Sequence, residues 1–173
     1  MTTPEWSRPE RLDTIAHDER AVTIEADEAE RAAVARRFDL VAIDRLSAHL
    51  TMRRDGAGIL VTGRVTAAVA QACSVTAERL AVMVDEPVLV RFVEPVAEED
   101  EIELSADALD TIEIEGGAID LGEAAAQTMA LALDPFPRGP NAGKVLKAAG
   151  VIGEDEVRPL GALAGLKALL QKE

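Results

Sequence analysis

The most regular pattern in the chain is an alternation of apolar and polar residues in its first half. Every second residue is apolar over residues 46–53, and the same period continues over residues 59–69. This two-residue period is typical of strands with one buried face. The glycine-rich residues 55–58 between the two runs predict a hairpin turn. A further β-rich stretch over residues 77–93, interrupted at residues 85–87, extends the prediction to an antiparallel meander of about four strands.

A helix is predicted ahead of this meander, after a short strand over residues 21–25. Asp27 and Glu30 form a capping-box pattern, in which each side chain satisfies a free backbone N–H at a helix start. The apolar spacing that follows predicts a helix ending near Phe38. Its exposed face carries Arg31, Arg36 and Arg37.

A second helix is predicted near the end of the meander. Asp120 and Glu123 repeat the capping-box spacing in front of a segment rich in alanine and leucine. The helix should cover residues 121–133, since Pro135 and Pro137 cannot continue it.

These elements together predict an α+β fold, with a curled antiparallel β-sheet or partly open barrel, two main flanking helices and a peripheral C-terminal helical tail. The 173 residues are enough for one domain. We expect that domain over residues 1–137, because residues 138–143 are typical of a linker. Residues 138–173 then form the linker and an amphipathic tail. Apolar residues stand at helical spacing in that tail, at Leu163, Leu166, Leu169 and Leu170.

Charge is distributed unevenly along the chain. The formal net charge is -14, and residues 94–123 contain twelve acidic residues with no lysine or arginine. A calcium loop needs a glycine at its tight turn, which residues 98–104 lack. Two interpretations of this acidic block stand side by side: a solvated face that keeps the protein soluble, and a surface for a basic partner. The candidate partner-binding residues are Glu98, Glu99, Asp100, Glu101 and Glu103.

No constellation in the sequence predicts catalysis. His17 and His49 belong to different elements, and we find no phosphate-binding glycine loop, nucleophile elbow or paired-histidine motif. Cys73 has no basic residue within five positions to lower its pKa, so we interpret it as a structural cysteine. The sequence therefore predicts a protein that is not an enzyme, with no cofactor and no metal site.

The expected location of the protein and its expected partners are inferred from features that the sequence lacks. The N-terminal residues lack the basic and apolar regions of a secretory signal. The longest uncharged stretch, residues 65–77, is shorter than a membrane-spanning helix needs. We therefore expect a cytoplasmic protein without membrane contact. Aromatic residues make up 2% of the chain, which argues against a site that stacks several nucleic-acid bases.

Several motifs in this order resemble the YceD family, known as large ribosomal RNA subunit accumulation proteins. Residues 61–67 are similar to the family's glycine strand, residues 71–76 to its cysteine segment, and residues 100–104 to its acidic signature. The Ile-Asp-Leu start of the second helix and the Pro-Phe-Pro sequence after it complete the resemblance. The matching positions are Gly63, Gln71, Cys73, Asp120, Leu121, Pro135 and Pro137.

The resemblance implies a bacterial factor needed for accumulation or processing of the 23S ribosomal RNA precursor. It does not imply an enzyme. Many relatives carry a Cys-x-x-Cys pair where this chain has Cys73 and Thr76. A metal or redox role suggested for those relatives therefore has no support here.

Three mechanisms remain open, and the pattern leaves the oligomeric state open as well. In the preferred one, the acidic block binds a ribosomal protein or assembly factor with a basic surface and positions it on pre-ribosomal RNA. In the second, basic residues contact the RNA directly, although uncompensated carboxylates repel phosphates. The third is a metal-dependent hydrolase that processes rRNA with Mg²⁺ held by the acidic block. The candidate RNA-contacting residues are Arg31, Arg36, Arg37, Lys144 and Lys147.

Overall fold

The computed structural model describes residues 4–95, 110–114 and 116–151. The strands are β1 Pro9–Arg11, β2 Arg20–Glu25, β3 Ala42–Asp55, β4 Gly58–Ala72, β5 Arg79–Val93, β6 Asp110–Glu113 and β7 Ala118–Asp120. The α-helices are α1 Glu28–Arg37, α2 Leu121–Leu131 and α3 Ala142–Ala148, and a 3-10 turn covers Leu12–Thr14. The predicted α+β class is confirmed, as are the two main helices.

The strands form two sheets. The larger sheet has the order β2-β3-β4-β5-β6, and β1 pairs with β7 in a separate antiparallel ribbon. The first four strands of the larger sheet run antiparallel, as the alternation predicts, whereas β6 lies parallel to β5 at the edge. The large sheet is therefore mixed, and over the described residues it does not close into a barrel.

The predicted break at residues 85–87 is wrong. β5 runs without interruption from Arg79 to Val93, and Pro87 pairs with Arg64 of β4. On its other side β5 pairs with β6 only from Val90 onward, so Pro87 has no described partner strand on that side. A proline is tolerated at such an edge because its missing N–H removes no ladder hydrogen bond. Asp85, the first residue of the predicted break, receives a hydrogen bond of 2.7 Å from Arg64 Nη1 across the strands.

The helix starts follow the predicted caps. At α1, the Asp27 side chain accepts a hydrogen bond from Glu30 N, and Asp27 N donates to Glu30 Oε2, both at 2.8 Å. At α2 only half of the predicted capping box forms: the Asp120 side chain accepts from Gly122 N and Glu123 N, whereas the Glu123 side chain pairs with Arg37. α2 ends at Leu131, two residues before the predicted end. None of the described helices is long and apolar enough to cross a membrane.

One continuous core joins the helices to one face of the large sheet. α1 packs against β3, and α2 packs against β4 and β5. The core includes Trp6, Leu46, Val61 and Leu121, each at most 1% exposed. The opposite face of the sheet carries polar side chains such as His49 and stays exposed.

The chain after Pro137 keeps contact with the domain. Gly139 and Ala142 are buried, and Asn141 Nδ2 donates to Glu78 Oε1 at 3.0 Å. α3 then occupies part of the predicted linker and tail. The boundary at Pro137 stays a prediction, and the predicted tail over residues 160–170 lies outside the described residues.

Candidate functional site

Four of the seven positions that carry the family resemblance lie together in space. Gln71 and Cys73 stand at the end of β4, and Pro135 and Pro137 lie in the loop after α2; all four line one cleft. Several hydrogen bonds join the segments; among them, Gln71 Nε2 donates to the Asp134 carbonyl at 2.9 Å, and Ser74 N donates to the Pro137 carbonyl at 2.8 Å. The resemblance therefore marks one region of the surface.

A tight turn between β4 and β5 places Cys73 in this region. Cys73 N donates to the Glu78 carbonyl at 2.8 Å, and Ala77 N donates back to the Cys73 carbonyl at 2.9 Å. Ala77 closes the turn with a φ of 58°, a conformation that is costly for residues other than glycine. The turn fixes Cys73 against the loop after α2, because Gly139 N donates to its Sγ at 3.3 Å.

The cleft lies between the ends of α1, β4 and α2. Its volume is about 460 Å³, within the range of sites that hold small molecules or single side chains. The apolar wall consists of Phe38, Leu40, Ala130, Leu133, Pro135 and Pro137. Leu131 and Phe136, next in the chain to lining residues, are 81% and 72% exposed. These two side chains add to the apolar surface near the cleft.

Two carboxylates line the same cleft. Asp39 follows α1 and Asp134 follows α2, and neither forms an ion pair within the part of the chain that the structure describes. Asp134 Oδ1 accepts a hydrogen bond from Phe136 N at 2.8 Å, which orients the carboxylate. The cleft therefore combines an apolar wall with negative charge.

The Cys73 thiol is more acidic than an ordinary thiol, although its side chain is only 3% exposed. The Gly139 N–H lowers the pKa of Cys73 to about 7, with further contributions from Thr76 and from the Val75 N–H. The interpretation from the sequence considered only basic residues that could lower the pKa, and none lies within five positions of Cys73 along the chain. Here backbone N–H groups supply the stabilisation of the thiolate that a basic side chain would otherwise give.

The Cys73 thiolate should therefore appear at unusually low pH. Titration by the ultraviolet absorption of the thiolate should give a midpoint near 7 in the folded protein and near 9 in urea, the ordinary value being 9.0. Because the pKa is lower in the folded state, the free energy of unfolding should rise between pH about 7 and about 9, and gain nothing from this group below that range. A Cys73→Ser variant should lack the rise, and equal midpoints in the two states would contradict the assignment.

The other three positions of the resemblance have structural roles. Gly63 has a φ of 150°, and a Cβ there would lie 2.1 Å from the His49 carbonyl oxygen of the adjacent strand. Asp120 accepts hydrogen bonds from Arg8 N, 2.8 Å away, and from the first turn of α2. Leu121 is fully buried. These residues hold the fold that positions the cleft.

The predicted RNA-contacting residues divide into two groups. Arg37 donates to Glu5 at 3.0 Å and to Glu123 at 2.7 Å, and Arg31 donates to the Ala26 carbonyl at 2.7 Å. Arg37 thus joins the N-terminal segment and α2 to α1, whereas the Arg31 bond is local to the start of α1. Arg36, Lys144 and Lys147 are exposed on the surface, as is Arg37.

The acidic block is only partly described. Its five candidate partner-binding residues, Glu98, Glu99, Asp100, Glu101 and Glu103, lie outside the described residues. Asp120 caps α2, and Arg37 lowers the pKa of Glu123 by pairing with it, so these two carboxylates of the block serve internal contacts. Within the described ranges, no group of three or more histidine, cysteine, aspartate or glutamate side chains could hold a metal ion.

No pattern along the sequence predicted the cleft as a unit. Asp39, Gln71 and Asp134 come from three segments, and Gln71 and Asp134 are 63 positions apart. Only the shared membership of Gln71, Cys73 and the two prolines in one resemblance pointed to a common region. Comparison with protein-family models, with curated proteins and with solved structures finds no match for this chain.

Proposed function

We propose that this protein is a non-enzymatic binding module in large ribosomal subunit biogenesis, which binds a basic ribosomal protein or assembly factor and so supports 23S rRNA accumulation or processing. The observation that carries the binding role is the cleft, where residues of the resemblance meet an apolar wall and two carboxylates that have no ion-pair partner among the described residues. The ribosomal context rests on the resemblance.

The surroundings of the cleft fit a protein partner. The exposed Leu131 and Phe136 side chains provide the apolar and aromatic contacts that are enriched at the centre of protein interfaces. Asp39 and Asp134 provide charge complementarity to a basic surface, which improves specificity and the association rate. The acidic residues of the block add long-range attraction for the same class of partner.

The two alternatives draw on other parts of the chain. Direct contact with pre-ribosomal RNA would use Arg36, Lys144 and Lys147, since Arg31 and Arg37 already serve internal contacts. A metal-dependent rRNA-processing hydrolase would take its ligands mainly from the acidic block, most of which lies outside the described residues. The cleft carries neither alternative, and we favour the binding module.

Leu131→Glu combined with Phe136→Glu should remove the protein from large-subunit precursors. Both side chains are exposed, so the double variant should fold, while two added carboxylates beside the cleft should weaken binding of the partner at least about tenfold. The measurement is the fraction of each variant, expressed at the level of the natural protein, that co-sediments with large-subunit precursor particles when cell extract is separated on a density gradient.

Met83→Glu is the matched control, because Met83 is 76% exposed on the opposite face of the sheet. It should co-sediment as the unchanged protein does, and circular dichroism should show all variants folded. A variant with Glu98, Glu99, Asp100 and Glu101 replaced by lysine tests the acidic block: its binding should be weaker and less salt-sensitive. Unchanged co-sedimentation of the Leu131→Glu and Phe136→Glu variant would refute a role of these two side chains in binding the partner.

A further inference from the structure

The polar groups that line the cleft have more acceptor capacity than donor capacity left over. Gln71 Nε2 donates to the Asp134 carbonyl, and Ser74 Oγ donates to the Pro137 carbonyl at 3.1 Å. The groups with remaining capacity are the Gln71 Oε1 oxygen, the Cys73 sulfur and the Asp39 and Asp134 carboxylates. A ligand for this cleft must therefore bring hydrogen-bond donors, and positive charge would suit the carboxylates.

Gln71 gives the strongest indication of a missing partner. The residue is 8% exposed, and its Oε1 atom is buried without any hydrogen bond. An unpartnered buried acceptor is costly, and native structures contain few of them. Gln71 lines the cleft and Asp134 holds its amide nitrogen, so a donor that enters the cleft and shifts the side chains covering Oε1 would complete the hydrogen bonding of this residue.

The apolar wall restricts the shape of that donor. Phe38, Leu133 and Pro135 suit a methylene chain, which long basic side chains bury while their charged ends reach polar groups. The neighbouring Arg37 guanidinium lies 5.1 Å from the centre of the Phe38 ring, but its charge is balanced by Glu5 and Glu123. A second cation can therefore approach the cleft.

We propose that the cleft between the ends of α1, β4 and α2 holds an arginine side chain of the protein partner. The free acceptors come from three separate segments, around Asp39, Gln71 and Asp134. A guanidinium presents five N–H donors in a planar fork and can serve several acceptors at once, which a single ammonium group does less well. This inference rests on the proposed function, since it names the chemistry by which that partner is recognised.

The direct test uses the full chain and two blocked peptides, built from glycine and leucine around one central arginine or around citrulline, its neutral isostere. The arginine peptide should bind at least about tenfold tighter, which corresponds to about 1.4 kcal/mol. It should also lower the midpoint of the Cys73 thiolate titration further, because the bound cation lies beside the sulfur. Equal binding of the two peptides, or no binding of either at millimolar concentration, would overturn the inference.

The matched variants locate the effect. Asp39→Asn combined with Asp134→Asn should bind both peptides equally, and the asparagine oxygen can still accept from Phe136 N. Asp18→Asn combined with Asp110→Asn removes the same charge from exposed positions outside the cleft and should keep the preference for arginine. If the latter pair also lost the preference, overall charge and not the cleft would be responsible.

The same variants separate this inference from the proposed function. If co-sedimentation with precursors depends on Leu131 and Phe136 but survives the Asp39→Asn and Asp134→Asn changes, the binding module stands and the arginine inference fails. If the unchanged protein does not co-sediment at all while the arginine peptide binds, the ribosomal role fails and the arginine site stands.

Discussion

Gly122→Ala is expected to destabilise the protein by about 3 kcal/mol or more. Gly122 is the second residue of α2, where alanine would ordinarily favour a helix by about 1 kcal/mol. Here an added Cβ would lie 2.0 Å from the carbonyl oxygen of Trp6 and 2.9 Å from its carbonyl carbon. Trp6 is 1% exposed in the core, so the contact is relieved only by moving packed backbone.

Gly143→Ala provides the matched comparison. Gly143 is the second residue of α3, and a Cβ there meets nothing within 4 Å. Alanine at this position should leave stability unchanged or raise it by up to about 1 kcal/mol. Urea denaturation of both variants measures the difference, and equal stability of the two would show that Trp6 and α2 are not in the close contact described.

Asp120→Ala is expected to cost about 3 kcal/mol, more than the loss of an ordinary helix cap. The Asp120 carboxylate accepts from Gly122 N at 3.0 Å and from Glu123 N at 3.1 Å, which caps α2. It also accepts from Arg8 N at 2.8 Å and from the Ser7 hydroxyl. A cap alone contributes about 0.5–2 kcal/mol, and hydrogen bonds to a charged group add to this.

Two variants separate these contributions in urea denaturation. Asp27→Ala removes the cap of α1, which is exposed and holds one helix N–H, so its cost should be about 1 kcal/mol. Asp120→Asn keeps an acceptor and should cost less than Asp120→Ala. Equal losses for Asp27→Ala and Asp120→Ala would mean that the bonds to Ser7 and Arg8 contribute nothing.

Local signals predicted most of the fold. The capping box at Asp27 and Glu30 and the hairpin after β3 depend on residues close in sequence, and both form as expected. The predicted break at Pro87 failed because proline lacks a single N–H donor, and whether a strand needs that donor depends on which strand lies on each side. The parallel pairing of β6 with β5 was not predicted either, since it depends on how the whole sheet is arranged and not on residues close in sequence.

The cleft was beyond sequence-based prediction for a related reason. The acidity of Cys73 depends on the N–H of Gly139, 66 positions away, and no pattern of side chains reports where a distant backbone donor lies. The free Oε1 of Gln71 is also visible only once its surroundings are known. Arg37 shows the reverse: its position on a helix face indicated a free charge, but Glu5 and Glu123 meet it there.

The ribbon of β1 and β7 has a consequence for synthesis of the chain. Arg8 and Asp120 are 112 positions apart, and Trp6 lies against α2 beyond that pairing. At the usual speed of translation, the ribosome makes the N-terminal segment on the order of ten seconds before its partner. Meanwhile β3, β4 and β5 can pair, because each of these strands lies next to its partner along the chain. Trp6 can therefore reach its final contacts only after α2 has been made, and we expect the fluorescence of this sole tryptophan to report a late step of folding.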